Sequence, residues 1–215
     1  MTDATTTSRA QARSPHSSGP VIYYVRHGQT DWNVEQRLQG RHDLPLNEQG
    51  RVQAMHCGRI LRDLFEREGR LPSDLAYVSS PLIRARETME LVRSALGLAP
   101  DVYELDGRLA EIAFGEWEGL TYAEVAARDG DVLAERESDK WHFMPPAGES
   151  YAQLTRRIAQ WHAAVRTDTV VCAHGGTARG LIAHVQVVPT HDAPHYPVEH
   201  GVVYVFTENR LARYA

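Results

Sequence analysis

Two short apolar runs of this chain end in the same pair of residues. Val21-Ile-Tyr-Tyr-Val runs into Arg26-His27-Gly28, and Thr169-Val-Val-Cys-Ala runs into His174-Gly175-Gly176. β-Branched and aromatic runs of this length, bounded by glycine, read as strands buried on both faces of an α/β sheet. In such sheets ligands bind just past the carboxyl ends of the strands, so both His-Gly steps fall where chemistry usually sits. A third run, Leu75 to Ser80, leads through Pro81 to Arg84, close to a strand end. Two imidazoles and two guanidinium groups are therefore expected at comparable edges. Imidazole exchanges a proton near neutral pH, and the planar arginine fork matches phosphate oxygens. Cations crowd together only where something anionic compensates them, so a phosphate held by Arg26 and Arg84 is the chemistry this set fits.

Positioning them takes alternating strands and helices. Asn47 is the expected N-cap of a long amphipathic helix carrying Val52, Met55, Ile60, Leu61, Leu64 and Phe65 and ending near Gly69. Asp31 to Arg41 reads as a loop over the first strand's edge. Pro81 is expected to open a second helix, and Asp101 to Leu105 to form a third strand. Glu149 to Val165 and Thr177 to Val188 read as helices, and Gly201 to Tyr214 as a closing hairpin at a sheet edge. The pattern predicts a three-layer α/β/α sandwich with a mostly parallel sheet and an antiparallel edge. The least regular stretch, about 108–146, reads as a small inserted cap, with Thr121 capping a helix inside it.

At 215 residues the chain suits one domain, expected over 21–215 behind a disordered tail at 1–20. A net charge of -5, with 24% charged residues of both signs, leaves no nucleic-acid footprint. Any anionic ligand must be held by a local basic cluster. The two cysteines, Cys57 and Cys172, sit in apolar contexts and read as buried thiols. No apolar run approaches a membrane span, and the first 20 residues lack the hydrophobic core of a secretory signal, so a cytoplasmic protein is expected.

Separated motifs along the chain resemble the histidine phosphatase superfamily, also called the phosphoglycerate mutase-like family. Arg26 to Asn33 resembles its nucleophile signature, and Arg37-Leu38-Gln39-Gly40 with Asp43-Leu44-Pro45-Leu46 resembles the loop after it. Ser79 to Thr88 is similar to its second arginine motif, Glu111 to Gly119 to its acid-bearing loop, and His174-Gly175-Gly176 to its second histidine. The resemblance implies a nucleophilic His27 that becomes a phosphohistidine in a pocket of Arg26, Arg84 and His174. It implies Glu111 as the general acid. It also implies phosphate contacts from Asn33, Thr30, Gln39, Gly40 and Gly175. No cofactor or metal is implied, because the arginines and His174 already supply the positive charge. Gln29, where the family often has Glu, and Ala147, where it often has Gly, are small departures at the rim.

A metal-independent phosphomonoesterase acting on a small phosphorylated metabolite is the leading expectation. A phosphoglycerate mutase is the alternative, made less favoured by the short stretch between Arg84 and Pro146. A phosphatase of protein phosphohistidine is disfavoured by the cap. A non-catalytic phosphate-ligand binder would be expected to lack one of the five central residues, and none is missing. The partners expected are the substrate and inorganic phosphate, with no nucleic acid or membrane; the oligomeric state, a dimer included, is left open. His184, His191, His195 and His200 with Asp192 match no common zinc spacing and read as a solvated loop. Trp117, Trp141 and Phe143 read equally as substrate-stacking or cap-packing residues, and Glu135, Glu137 and Asp139 as a solvated face.

Overall fold

The computed structural model describes residues 19–208 and 210–215, so the expected tail lies outside the described residues up to position 18. The elements in chain order are β1 (Ile22–Arg26), α1 (Asp31–Val34), α2 (Glu48–Glu68), β2 (Ala76–Ser79), α3 (Ile83–Ala95), β3 (Glu104–Leu105), α4 (Tyr122–Ser138), α5 (Tyr151–His162), β4 (Thr169–Ala173), α6 (Gly175–His184), β5 (Val203–Thr207) and β6 (Arg210–Tyr214). They form one sheet in the order β3-β2-β4-β1-β5-β6. Strands β3, β2, β4 and β1 are mutually parallel, and the β5–β6 hairpin runs antiparallel on β1. This is the mostly parallel α/β sheet with an antiparallel edge that the strand pattern predicts.

The strands alternate their side chains between two cores, as a period of two demands. Tyr23, Val25, Val170 and Cys172 pack with Leu61 and Phe65 of α2 and Met89 and Val92 of α3. Ile22, Tyr24, Val171 and Ala173 pack on the other face with Leu154 and Ile158 of α5 and Leu181 and Ile182 of α6. Both faces of β1 and β4 are covered, which is why their sequences are continuous apolar runs. Cutting a fully buried side chain here, such as Leu61, to alanine would cost roughly 2–5 kcal/mol. A third, smaller cluster of Leu38, Trp117 and Val125 with Leu133 and Phe143 underlies the cap. There Trp117 stacks on Phe143 at 5.7 Å, so these two aromatics pack the cap.

Helix α2 begins and ends where its residues dictate. The Asn47 side chain accepts from Gly50 N at 2.9 Å, and Gly69 closes the helix in the left-handed region at φ 64. Other boundaries differ from expectation. Residues 31–34 are helical, because Thr30 and Asn33 form a reciprocal capping box. The helix after Pro81 starts at Ile83 with extended Leu82 as its N-cap, whose N–H is met by Ser80 Oγ at 3.3 Å. The third strand shrinks to Glu104–Leu105, an edge pair bonded on one side only and exposed. Helix α5 starts after the Ser150 cap and stops at His162. Helix α6 starts two residues early, at Gly175, and ends at His184. Within the cap, α4 is interrupted at Asp129, whose carboxylate accepts from Trp117 Nε1 at 2.8 Å.

Candidate active site

The β1–β4 register sets Arg26 opposite Ala173, so the next residues of both strands leave the sheet side by side. His27 N donates to Ala173 O at 2.8 Å, and the His27 and His174 rings lie 5.1 Å apart at 59°. Both side chains are buried. The chain turns away after His27 through a contact only glycine allows: a Cβ on Gly28 would stand 2.1 Å from the carbonyl oxygen of Gly50 in the first turn of α2.

His27 is held as one tautomer. Its Nδ1 lies 2.7 Å from the Gly28 carbonyl oxygen, which can only accept, so Nδ1 carries the proton and Nε2 the lone pair. Burial, then the charges of Arg84 and Arg26, push its pKa well below the ordinary histidine value. The ring is therefore neutral at physiological pH. The same forces, burial first, then Arg84, keep His174 neutral.

Three donor-bearing atoms around these rings are buried with no hydrogen-bond partner among the described residues: Arg26 Nε, Arg84 Nε and His174 Nδ1. The remainder of each group is anchored. Arg26 Nη1 donates to Val198 O at 2.6 Å, and Arg84 gives Nη1 to His42 O at 2.6 Å and Nη2 to Gly40 O at 2.9 Å. His174 Nε2 is hydrogen-bonded to Ser80 Oγ at 2.7 Å. Arg84 is thus fixed by the 40–42 loop, and its fork is only partly free for a ligand. Orphaned buried polar atoms are costly; Arg26 and Arg84 line one cavity, and His174, which does not line it, stands with its ring 5.1 Å from that of His27, so the group marks a place for an anion.

Glu111 enters from the cap stretch. Its Oε2 accepts from Gly176 N at 3.1 Å, at the N-terminus of α6, and its Oε1 from Ile112 N at 2.8 Å. A Cβ on Gly176 would stand 2.3 Å from Glu111 Oε1, which explains the second glycine after His174. The Glu111 loop is clamped from behind. Arg157 grips Glu149 with Nε at 2.7 Å and Nη2 at 2.8 Å, and the same Nη2 donates to Glu111 O at 3.1 Å.

Arg26, His27, Arg84, Glu111, Asn33, Gln39, Gly40 and Gly175 line one cavity of about 290 Å³. Arg37, Phe114, Tyr122, Arg136, Lys140, Tyr151 and Arg179 complete most of its wall. Thr30 is not part of it: its hydroxyl is spent inside the α1 cap, donating to Asn33 Oδ1 at 3.1 Å and accepting from Asn33 N at 3.3 Å. The spacing of His200 suggests a solvated loop, but the residue packs edge-on against His27. His191 pairs with exposed Asp192 at 3.3 Å, and His184 meets His162 at 5.3 Å, so these histidines are scattered. Among the described residues no group of three or more His, Cys, Asp or Glu could hold a metal ion, and no helix is long and apolar enough to cross a membrane.

The roles of His200, the Arg157–Glu149 clamp and Tyr24 are not announced by the sequence pattern. The Tyr24 hydroxyl accepts from His174 N at 3.1 Å and bonds Thr177 Oγ1 at 2.6 Å, fixing the backbone that presents His174. The Ser150-x-x-Gln153 capping box is the local signal in the sequence that could have pointed to that clamp's neighbourhood.

Known proteins share this arrangement of elements. Glucosyl-3-phosphoglycerate phosphatase of Mycobacterium tuberculosis is 36% identical over 187 residues, covering 80% of this chain and 78% of that protein. The 2,3-bisphosphoglycerate-dependent phosphoglycerate mutase 2 of Gloeobacter violaceus is 30% identical over 194 residues, covering 86% of this chain and 84% of its own. The solved native structure of a mycobacterial glucosyl-3-phosphoglycerate phosphatase superposes with a TM-score of 0.72 at 30% identity, over 86% of this chain and 89% of that one. A family profile described as histidine phosphatase superfamily (branch 1) matches residues 22–211, and the chain belongs to that family.

Proposed function

We propose that this protein is a metal-independent phosphomonoesterase that hydrolyses a small phosphorylated metabolite through a phosphohistidine at His27. The observation that carries this reading is the convergence of unpartnered Arg26 Nε, Arg84 Nε and His174 Nδ1 beside a neutral imidazole whose Nε2 keeps its lone pair. Phosphoryl transfer needs an aligned nucleophile and dense positive potential on the equatorial oxygens, and little else. His27 Nε2 attacks phosphorus, the bond to the leaving oxygen breaks, and Glu111 gives that oxygen a proton. Water then attacks the phosphohistidine, Glu111 takes its proton, and inorganic phosphate leaves with His27 restored. Where His174 Nε2 accepts from Ser80, Nδ1 bears the ring proton and donates to a phosphoryl oxygen. Asn33, Gln39, Gly40 and Gly175 form the surrounding wall.

A mutase reading is favoured by the Gloeobacter relative's name. A mutase would return the phosphoryl group to product, whereas a phosphatase releases it. Incubating the protein with labelled glucosyl-3-phosphoglycerate, 3-phosphoglycerate and p-nitrophenyl phosphate, with and without chelator, separates the readings. Free phosphate in all conditions is the expected outcome, with acid-labile, base-stable label on the acid-quenched protein and none on His27→Ala. Isomerised product without free phosphate would establish the mutase. Binding without turnover would leave a phosphate-ligand binder.

A further inference from the structure

A second cavity lies at the opening residues of β2, the end of the parallel sheet opposite the His-Gly steps. Strand β3 pairs only with Val78 and Ser79, so the outer side of Ala76 and Tyr77 has no strand against it. The gap is a cavity of about 700 Å³, walled by Leu75, Tyr77, Leu98, Val102 and Tyr103 together with Arg93 of α3.

Arg93 is only 6% exposed, yet it forms no ion pair among the described residues. Its Nε donates to Ala99 O at 2.7 Å, and its guanidinium lies over the Tyr77 ring, 4.4 Å from the centroid. The ring face and the last turn of α3 both favour a cation there. Neither accepts a hydrogen bond from the two Nη groups, which have no partner among the described residues and are not sealed off from solvent. A buried guanidinium normally meets a carboxylate or a full set of acceptors. Here the Nε side is spent inside the protein, and the Nη edge is left for a group from outside. Asp101 and Glu104 also line the cavity, both exposed and neither paired with Arg93.

We infer that this cavity is a binding site for a monocarboxylate with an aliphatic body, separate from the catalytic site. The two carboxylate oxygens meet the Nη edge of Arg93, the planar match that a guanidinium offers. The aliphatic body lies along Leu75, Tyr77, Leu98 and Val102, the mostly apolar wall with one placed charge that small-molecule sites show. Asp101 and Glu104 repel a second negative charge, which restricts the ligand to one. The site uses neither His27 nor its neighbours, so it stands apart from the phosphatase reading.

Octanoate against octanol is the probe pair, read by calorimetry on the full chain. Octanoate should saturate a single site and bind roughly tenfold more tightly than octanol, or better. Arg93→Met should bring the two to parity. Val102→Asp, at a position 64% exposed where an acid leaves the fold alone, should weaken octanoate more than octanol. Suberate, the same carbon count with a second carboxylate, should bind more weakly than octanoate. Octanoate that does not saturate, octanol bound as tightly, or a preference unmoved by both variants overturns the site. Suberate bound as tightly as octanoate overturns its restriction to one charge. Sedimentation tests the competing occupant: a dimer that Val102→Asp splits and that octanoate does not enter would give the cavity to an interface between copies, against the proposal. Should Arg93→Met fail to fold, the octanoate-to-octanol ratio in Val102→Asp decides.

Discussion

His200 donates its Nδ1 proton to the backbone carbonyl of His27 at 2.8 Å, and the two rings meet nearly edge to face with centroids 5.6 Å apart. The contact grips the nucleophile's own backbone just where β1 ends. His200 is thus a positioning residue that acts through His27. Its pKa is pushed down to about 4 by burial and by Arg26, so it adds no charge beside the nucleophile. His200→Leu should slow phosphohistidine formation by roughly tenfold to a hundredfold, the scale on which a displaced reacting group costs rate. Asn at 200 offers an N–H in nearly the same place and should recover most of the loss. Inhibition by phosphate, which reads the arginines, should move far less than the first-turnover rate. A leucine variant that phosphorylates as fast as its parent removes His200 from this role.

Glu111→Gln tests the general acid. An alkyl phosphate expels a basic alkoxide that needs a proton, whereas p-nitrophenolate leaves without one. The amide keeps the shape but cannot give the proton, so first-turnover phosphorylation by a sugar phosphate should drop about 10²–10⁴-fold. The p-nitrophenol burst should survive. Equal losses for both substrates would make Glu111 an orienting residue and direct attention to Glu116 and Glu118.

Arg84→Lys should fail nearly as badly as Arg84→Ala. The guanidinium holds the His42 and Gly40 carbonyls with two nitrogens and still presents Nε. A single ammonium cannot span those three directions. Each carbonyl left unmet costs about 1–3 kcal/mol, so the 40–42 loop should loosen as well. Phosphate inhibition and turnover should weaken together, and an unchanged inhibition constant in the alanine variant would take Arg84 out of the phosphate site.

What the sequence discloses follows from burial. Strands β1 and β4 are covered on both faces, so they read as unbroken apolar runs, and their ends could be located to the residue. Helix α2 carries its own start and stop signals in Asn47 and Gly69. His200 leaves no such trace, because its place beside His27 depends on β5 folding back antiparallel on β1, a pairing between distant segments. Arg157 and Glu149 lie only eight residues apart, but the Glu111 carbonyl that Arg157 also holds belongs to a distant segment, and that tertiary half of the clamp leaves no trace. The motif position of Thr30 suggests a phosphate contact, but the local hydrogen bond to Asn33 takes its hydroxyl first.

Stability should fall with acid before the carboxylates titrate. His27, His174 and His200 all have pKa values lowered by burial, against an unfolded value near 6.5. A depressed folded value means the unfolded chain binds the proton first. The stabilisation is therefore complete above about pH 6.5 and is lost as pH falls, for His200 down to about 4. Each such histidine contributes a slope of about 1.4 kcal/mol per pH unit in that window. Urea unfolding of parent and His200→Asn between pH 7.5 and 4.5 should give curves that converge as pH drops. Parallel curves would mean His200 titrates alike in both states.

Ala147 holds a left-handed backbone, φ 57, between Pro146 and Gly148, in the turn that feeds Glu149 to the clamp. The turn cannot relax, because Gly115 packs so closely on it that a Cβ there would lie 2.0 Å from Pro146 O. A left-handed L-residue costs about 1–2 kcal/mol, and glycine at such a site returns part of this as unfolded-chain entropy of roughly 0.5–1 kcal/mol. Ala147→Gly should therefore stabilise by about 0.5–1 kcal/mol, which for a chain of this size raises Tm by roughly 1–4 °C. Ala147→Val, β-branched in the same conformation, should lower Tm by a larger amount. The clamp on Glu111 should be unaffected in the glycine variant, since Glu149 reaches Arg157 through its own side chain. Thermal unfolding of the three proteins side by side decides the matter, and a glycine variant no more stable than the parent would show that the turn's strain is relieved elsewhere.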